Sequence, residues 1–468
     1  MNYRETVDYL ESLEPHRIRP GLDRIRALLA RLGDPHAAIP SILIGGTNGK
    51  GSVSAYLDAI LHEAGTSAGL YVSPHLVRFE ERIRVAGAPI GEHDVAALVT
   101  EVRDAIEGME RDGGERPTYF EATTALAFLH FRCRRVPIAI LEVGMGGRYD
   151  ATNVVEPLAC AITPVAMDHM EWLGHSLSEI ADQKAGILRP DTIVVIGRQP
   201  REAEEVIRAQ AARAGARPIH TSACRIRPAG GEDRFADPPV LDLTTPVRQY
   251  DGLRLALRGG HQVDNAAAAV LLAEAIHELR QLTIDAGAIA RGLERVNWPG
   301  RIEIVPGETD LLLDGAHNPA ASGTLATYLR DHHAGRRIAL VFAAMKDKPI
   351  PQMLEVLSPL VSEIIVTRLP VARGESPLVL YDMATRIHPR VVRSDLVEDA
   401  LEMGRRAAGP GGLCVVSGSL YLVGEMKRIG IGAPAFPPSP DARRRRGPGS
   451  DAAPLRTEGE NRSRSGST

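Results

Sequence analysis

Cysteine is scarce in this chain. Cys133, Cys160, Cys224 and Cys414 are the four among 468 residues, and no two form a CxxC pair. Scattered thiols in apolar surroundings give no disulfide framework and are read most simply as reduced core residues of a cytoplasmic protein. Long apolar runs are missing as well, since nothing approaches the roughly 20 residues needed to span a bilayer. The opening stretch MNYRETVDYLESLEPHR carries acidic residues and no apolar centre, so it does not read as a secretory signal. Charge of one sign is not in excess either. The formal net charge of −4 provides no general electrostatic attraction for nucleic acid or an anionic membrane, and neither is expected as a partner. A content of 44% hydrophobic and 24% charged residues is that of a soluble globular protein, and the length predicts two to three domains.

One further absence is local. The stretch GGTNGKGS at residues 45–52 looks like a phosphate-gripping loop but lacks the usual P-loop spacing: Ile44 stands where the first glycine belongs, and Gly51 separates Lys50 from Ser52. Its surroundings argue for the same job in a tighter loop. SILIG before it is short and apolar, as a buried strand is. After it, Val53, Tyr56, Leu57, Ile60, Leu61 and Ala64 recur at helical spacing, with Gly65 where a C-terminal cap belongs. Strand, glycine turn and helix together aim backbone N–H groups and a positive helix end at one point, which suits phosphate. Lys50 adds a mobile charge and Ser52 a hydroxyl. An ordinary glycine-rich turn would not call for Thr47, Asn48 and Lys50 in this setting.

Strand-like runs recur at SILIG, AGLYVS, IAILEVG, LACAIT and TIVVIG, with helix-like stretches such as EATTALAFLHFRCRR and SEIADQKAGIL between several of them. This alternation predicts an α/β fold with a doubly wound, mostly parallel sheet of P-loop type. Residues 224–260, rich in Pro, Gly and charge, predict an antiparallel excursion at the sheet edge. A helix is expected over NAAAAVLLAEAIHEL, and VNWPGR then breaks the pattern. A second alternating series follows: DLLLDG, RIALVFAAM, EIIVTRL, RVVRSD and LCVVSGS. The expected units are residues 1–297, residues 298–434 as a smaller α/β domain, and residues 435–468 as a tail of Pro, Ser, Gly and Arg too poor in apolar residues to fold.

Ligands of doubly wound sheets sit at the C-terminal strand ends. Ser73 to His75 follow the second strand, and Glu142 closes the third. Asp168 and His169 follow the fourth, and Lys184 lies in DQKAGIL. Taken singly, Ser73 reads as a turn residue, Glu142 as an ion-pair member, His169 as a satisfied histidine and Lys184 as a solvent-facing helix lysine. Jointly, beside a phosphate loop, hydroxyl, carboxylate and imidazole suit Mg²⁺ shared with nucleotide phosphates.

GTNGKGS, SPHLVRFEERIRV, LEVGMGGRYDATNVV, MDHMEWLG, QKAGIL, GGHQVDNAAAA, PGRIE and LDGAHNP occur in one order over residues from about 17 to 425. In this the chain resembles the folylpolyglutamate synthases, including the bifunctional bacterial form that is also a dihydrofolate synthase, a branch of the Mur ligase family. The shorter loop is that family's own form of the P-loop. The resemblance implies that Asn48, Gly49, Lys50, Gly51 and Ser52 hold ATP, with Asn265, Arg301 and Asp314 reaching it from elsewhere. It implies Mg²⁺, two ions in all, at Ser73, Glu142 and His169, and an N6-carboxylated Lys184. Pterin contacts are implied at Arg17, Ile18, Arg19 and Pro20, at Phe120, Glu121, Ala122 and Thr123, and at Arg148, Tyr149 and Asp150. Tyr149 and Met145 depart from the leucine-like residues expected at their positions.

The activity so implied joins the carboxylate of dihydropteroate or a reduced folate to L-glutamate. Transfer of the γ-phosphoryl group of ATP makes an acyl phosphate, and the glutamate amine displaces the phosphate. Such chemistry needs positioning and charge neutralisation more than a protein nucleophile, in keeping with the lack of a catalytic triad. Lys50, Lys184 and His317 are the catalytic candidates, His317 for handling the incoming glutamate. A monomer acting on small molecules is expected. Four other readings weigh less. A GTPase-like switch lacks the N-K-x-D guanine motif, and a decayed pterin-binding scaffold would not keep the loop and carboxylates. A cell-wall Mur ligase fits SPHLVRFEERIRV less well, while a monofunctional folylpolyglutamate synthase differs only in substrate range.

Overall fold

The computed structural model describes residues 1–13, 20–279 and 282–432. Arg17, Ile18, Arg19 and the expected tail at 435–468 lie outside the described residues.

Eight strands build the first sheet: β1 (Ser41–Gly45), β2 (Gly69–Tyr71), β3 (Ile83–Val85), β4 (Ala88–Pro89), β5 (Ala139–Glu142), β6 (Ala159–Ile162), β7 (Ile193–Ile196) and β8 (Arg217–His220). Their order is β4-β3-β2-β5-β1-β6-β7-β8. Pairing is parallel from β2 through β8, while β3 and β4 add an antiparallel edge. All five runs expected in this half are strands. The three missed ones are the edge strands β4 and β8, which carry exposed or polar residues, and β3 between β4 and β2, whose three residues centre on Arg84.

The central strands look continuously apolar because helices cover both faces. Side chains alternate between the two. Leu43, Leu141, Cys160 and Val194 enter the core shared with helices Glu92–Arg111 and Tyr119–Arg134. Ile42, Ile44, Ile140, Ala161 and Val195 enter the other, shared with helices Lys50–Glu63 and His261–Glu278. Cys160 and Cys414 are buried as expected, but Cys224 is only partly buried and Cys133 is exposed. Cys133 lies with Arg132 and Arg134 at the solvent-facing end of its helix, where no sheet covers it.

Residues 224–260 are antiparallel but do not extend the first sheet. They form a separate sheet of β9 (Arg225–Pro228), β10 (Val240–Thr244) and β11 (Gln249–Arg254) in the order β11-β10-β9. Leu241, Leu243, Tyr250 and Leu253 turn one face inward onto the helix His261–Glu278. Burial of that face thus holds the small sheet in place.

The third sheet has the order β12-β13-β17-β14-β15-β16, with β12 (Glu303–Val305), β13 (Asp310–Leu313), β14 (Ile338–Phe342), β15 (Glu363–Val366), β16 (Val391–Arg393) and β17 (Leu413–Ser417). Only β12 pairs antiparallel. This sheet has its own core. Its C-terminal strand ends face those of β1, β5 and β6 across a cleft. Among the described residues no helix is long and apolar enough to cross a membrane.

Candidate active site

The floor of the cleft is the loop between β1 and the helix Lys50–Glu63. Gly46 has φ 132°, and a Cβ there would lie 1.9 Å from Thr163 Oγ1. Gly49 takes the N-cap position at φ 94°, and its missing Cβ leaves space that the Asn265 amide approaches. Only glycine combines those dihedrals with such close approach. Thr47 and Asn48 donate their backbone N–H groups to Pro164 O, which ties the first half of the loop to the end of β6. No side chain caps the helix, so its positive end opens into the cleft. Lys50 Nζ folds back onto the carbonyls of Gly46 and Thr47 at 3.2 and 3.1 Å. Ser52 Oγ accepts from Gln262 at 3.3 Å, and the Asn265 amide donates to Gln262 at 3.0 Å.

Ser73, Glu142, His169 and Lys184 all line this same cleft with the loop. Glu142 ends β5, and one carboxylate oxygen accepts from the Ser73 N–H at 3.3 Å. Burial raises its pKa, opposed by Lys50, that N–H and Arg301. His169 sits in a left-handed turn, φ 50°, and burial, with Lys348 next in effect, lowers its pKa to about 4. Lys184 is not solvent-facing. It is 4% exposed, and its Nζ donates to Gly46 O at 2.8 Å. Burial, reinforced by Lys50, lowers its pKa to about 7.

From the opposite side come Arg301, Asp314 and His317. The Asp314 carboxylate accepts the N–H groups of Ile302 and Ala316, each at 2.9 Å, which pins the turn carrying His317. The His317 ring holds Gly315 O at 2.9 Å, and burial lowers its pKa to about 4. Every residue assigned above to ATP, metal or catalysis therefore stands on one cleft, with the third sheet supplying three of them.

The residues assigned to pterin lie elsewhere. Glu121 caps its own helix with Thr118 and accepts from Arg24 at 3.2 Å. Ala122 is buried, and Thr123 shares a hydrogen bond of 2.9 Å with the Tyr71 hydroxyl. Phe120 presses its ring on Gly144, which does line the cleft. Arg148 pairs with Asp182 at 3.0 Å, and Asp150 accepts from Met145 N and Thr152 N. Tyr149 is exposed and Pro20 is exposed.

Two residues that the sequence reading did not single out join the halves of the cleft. Lys348 Nζ lies 2.6 Å from Asp168 Oδ1, both side chains buried. Asn318 exchanges amide hydrogen bonds with Asn48 of the loop, at 3.0 and 3.2 Å, and donates to Asp168 Oδ2 at 3.1 Å. Burial works against the Asp168 carboxylate, but His169, Lys348 and His317 hold it well below the usual carboxylate range. The available signal was position: Lys348 follows β14 in AAMKDKP, the place that drew attention to Glu142 and Asp168 in the first sheet.

Residues 44–273 match the Mur ligase middle domain, and residues 300–420 match the Mur ligase, glutamate ligase domain. The chain is 35% identical over 429 residues to the dihydrofolate synthase/folylpolyglutamate synthase of Bacillus subtilis, covering 91% of this chain and 98% of the relative. Among solved structures it is similar to Mycobacterium tuberculosis folylpolyglutamate synthase complexed with ADP and AMPPCP, at 32% identity and a TM-score of 0.84 over 92% of this chain and 100% of that one. It is also similar to Escherichia coli FolC in complex with DHPP and ADP, at 29% identity and a TM-score of 0.81, with 92% and 97% covered. The chain belongs to the Mur ligase family, in its folylpolyglutamate synthase and dihydrofolate synthase branch.

Proposed function

We propose that this protein is an ATP-dependent ligase that forms an amide between the carboxylate of dihydropteroate or a reduced folate and the amine of L-glutamate, releasing ADP and phosphate. The observation that carries the reading is the cleft itself. A phosphate loop, a buried carboxylate and two lysines on one side face Arg301, Asp314 and His317 on the other. Relatives of this branch are named for both activities and were solved with adenine nucleotides.

A carboxylate is a poor acyl donor because its leaving group would be oxide. In the first step a carboxylate oxygen of the pterin substrate displaces ADP from the γ-phosphorus, giving an acyl phosphate. In the second the glutamate amine attacks the carbonyl carbon, phosphate leaves with the C–O bond electrons, and the amine gives up a proton. Lys50 and the helix N-terminus neutralise phosphate charge, which is the main demand of phosphoryl transfer. Asn48, Gly49, Gly51, Ser52 and Asn265 shape the nucleotide's seat, and Arg301 and Asp314 meet it from the other side. His317 orients the incoming glutamate.

Ser73, Glu142 and His169 form an oxygen-rich donor set suited to Mg²⁺. Among the described residues no three His, Cys, Asp or Glu side chains are grouped to hold a metal by themselves. The cation would thus complete its shell with phosphate oxygens and supply charge neutralisation there. Lys184 fits the carboxylated form assigned by resemblance. Its lowered pKa leaves much of the amine neutral at pH 7, and only the neutral amine adds CO₂, forming a carbamate and releasing a proton. The pterin would approach along Pro20, Phe120 to Thr123 and Arg148 to Asp150, outside the nucleotide's seat.

We place the boundary between the ATP-binding unit and the C-terminal unit at residue 298. One chain supplies both walls of the cleft, which supports action as a monomer, and the cytoplasm is the setting we assign. Purified protein offered ATP, Mg²⁺ and L-glutamate with either dihydropteroate or tetrahydrofolate, followed by product mass, tests the reading. Turnover of both is expected. Turnover of tetrahydrofolate alone leaves a monofunctional synthase, and acceptance only of a muramyl peptide moves the protein to the cell-wall branch.

A further inference from the structure

Trp298 lies in the stretch VNWPGR that joins the two halves of the molecule, and none of the roles above uses it. Its indole abuts the phosphate loop: a Cβ on Gly51 would stand 3.2 Å from ring atoms Cζ2 and Nε1. The guanidinium of Arg84, on strand β3, lies over the same indole, 4.8 Å from the ring centroid. Arg84 is itself buried and bonds Glu81 O at 3.1 Å. Asp58 is also buried; burial raises its pKa to about 6, and the charge of Arg84, followed by that of His62, pulls it down. Asp58 and Gly51 belong to the same helix, Lys50–Glu63. Seven residues apart, they share one face two turns along.

The contacts therefore form a chain. Arg84 covers Trp298, and Trp298 meets the phosphate-loop helix at Gly51, while the charge of Arg84 favours the ionised form of Asp58 on that same helix. Three segments far apart in sequence are braced in this way: the phosphate-loop helix, the edge of the first sheet and the inter-domain linker. Directly beyond Trp298 the chain turns at Pro299 and Gly300, where φ is 75°, and delivers Arg301 into the cleft. A second cavity beside the nucleotide cleft has Trp298, Arg84, Gly51, Glu142 and Arg301 in its wall. The indole thus stands where loop, linker and cleft meet.

We propose that Trp298 is a positioning residue for the nucleotide: braced by Arg84 against Gly51, it sets the register of the linker so that Arg301 meets ATP bound on the phosphate loop. The proposal rests on the reading of the cleft as an ATP site. It predicts a split in kinetic effect. Loss of the indole loosens the nucleotide's seat and leaves the binding of glutamate and the pterin unchanged. A planar ring of smaller size keeps most of the contact with Gly51 and the cation–π contact with Arg84.

Trp172 is the other tryptophan, which makes Trp298 directly observable. In full-length protein carrying Trp172→Phe, addition of ADP should change the Trp298 emission in a saturable way. Separately, Trp298→Ala should raise the KM for ATP by about tenfold or more with the KM for glutamate unchanged, and Trp298→Phe should stay within about threefold of the parent. Emission indifferent to saturating ADP, bound as shown by calorimetry, overturns the proposal. So does a folded Trp298→Ala variant that keeps its ATP KM or loses kcat alone. If Trp298→Ala fails to fold, the phenylalanine variant and the emission titration decide. Because the ADP titration needs no turnover, a protein that binds ADP at Trp298 but ligates no folate refutes the ligase assignment without touching the brace.

Discussion

Burying Lys184 costs folding free energy, because a buried lysine whose hydrogen bond goes to a neutral carbonyl must either be desolvated as a cation or give up its proton. Its pKa is lowered to about 7 from an ordinary 10.5. Between those values the unfolded chain holds the proton and the native one does not, so this residue makes stability rise with pH across that window and destabilises the fold below it. Lys184→Met should therefore be more stable than the parent at pH 7, by about 1–3 kcal/mol, and inactive. Thermal melting and the ligase assay together check this; a variant that melts lower assigns Lys184 a structural part through its bond to Gly46 O. CO₂-depleted buffer should lower activity and bicarbonate restore it, and at a fixed, limiting CO₂ concentration activity should fall as pH drops through about 7, since protonation removes the nucleophilic amine. Lys50 poses the opposite case. It is only half-buried and bonds two loop carbonyls, so Lys50→Ala should keep the parent's melting temperature while lowering kcat/KM by about 100-fold or more. Unchanged turnover would remove the loop lysine from the mechanism.

The strand–loop–helix unit around Gly46 shows what could be read in advance at the scale of an element. SILIG, the glycine run and the apolar period after it gave strand, turn and helix with an αL glycine at Gly65, φ 78°. Buried parallel strands announce themselves by apolar runs, and their C-terminal ends are where ligand groups gather, so the place of Glu142 and His169 on the cleft was legible from position, whereas Lys184 lies on the helix Leu177–Ala185. Edge strands β4 and β8 were not legible, since they bury little, and neither was β3, a strand of three residues with Arg84 at its centre. The exposure of Lys184 was misjudged because its helix has a mixed polar face; tertiary packing onto Gly46 decides its burial. No sequence pattern reveals that packing. Gly46 itself tests the loop as an element. Its carbonyl receives both Lys50 and Lys184, and its α-hydrogen faces Thr163. Gly46→Ala should cost about 1–3 kcal/mol through overpacking at a positive φ and abolish ADP binding, as read by denaturant titration and calorimetry. An alanine variant that binds ADP normally would mean the loop adapts more freely than its contacts imply.

The first half has two cores and the second half one; Leu76 of the first half packs against the core of the second, and the remaining ties across the cleft are polar and specific. Asp168 lies at the centre of that junction, receiving Lys348 at 2.6 Å and Asn318 at 3.1 Å from the far half. Asn318 is fully buried and begins the helix Pro319–His332, whose far end is held as well: the Tyr328 hydroxyl donates to Asp237 at 2.7 Å, and Asp237 also receives Arg258 at 2.7 Å. One helix is thus fastened to the first half at both ends, and its start touches the phosphate loop through Asn48. A nucleotide seated on the phosphate loop would therefore favour the closed arrangement of the two halves. Removing one partner of a buried pair leaves the other charge stranded, at about 3–5 kcal/mol. In Lys348→Met that cost falls on the closed arrangement, because an opened cleft lets water reach Asp168. The variant should therefore melt within a few degrees of the parent, show a larger radius of gyration by small-angle scattering, and lose kcat and ATP affinity together. Lys348→Arg, which keeps the charge, should recover part of both. A Lys348→Met protein as compact as the parent and equally active would mean that the asparagine pair and the Asp237 anchor hold the halves together by themselves.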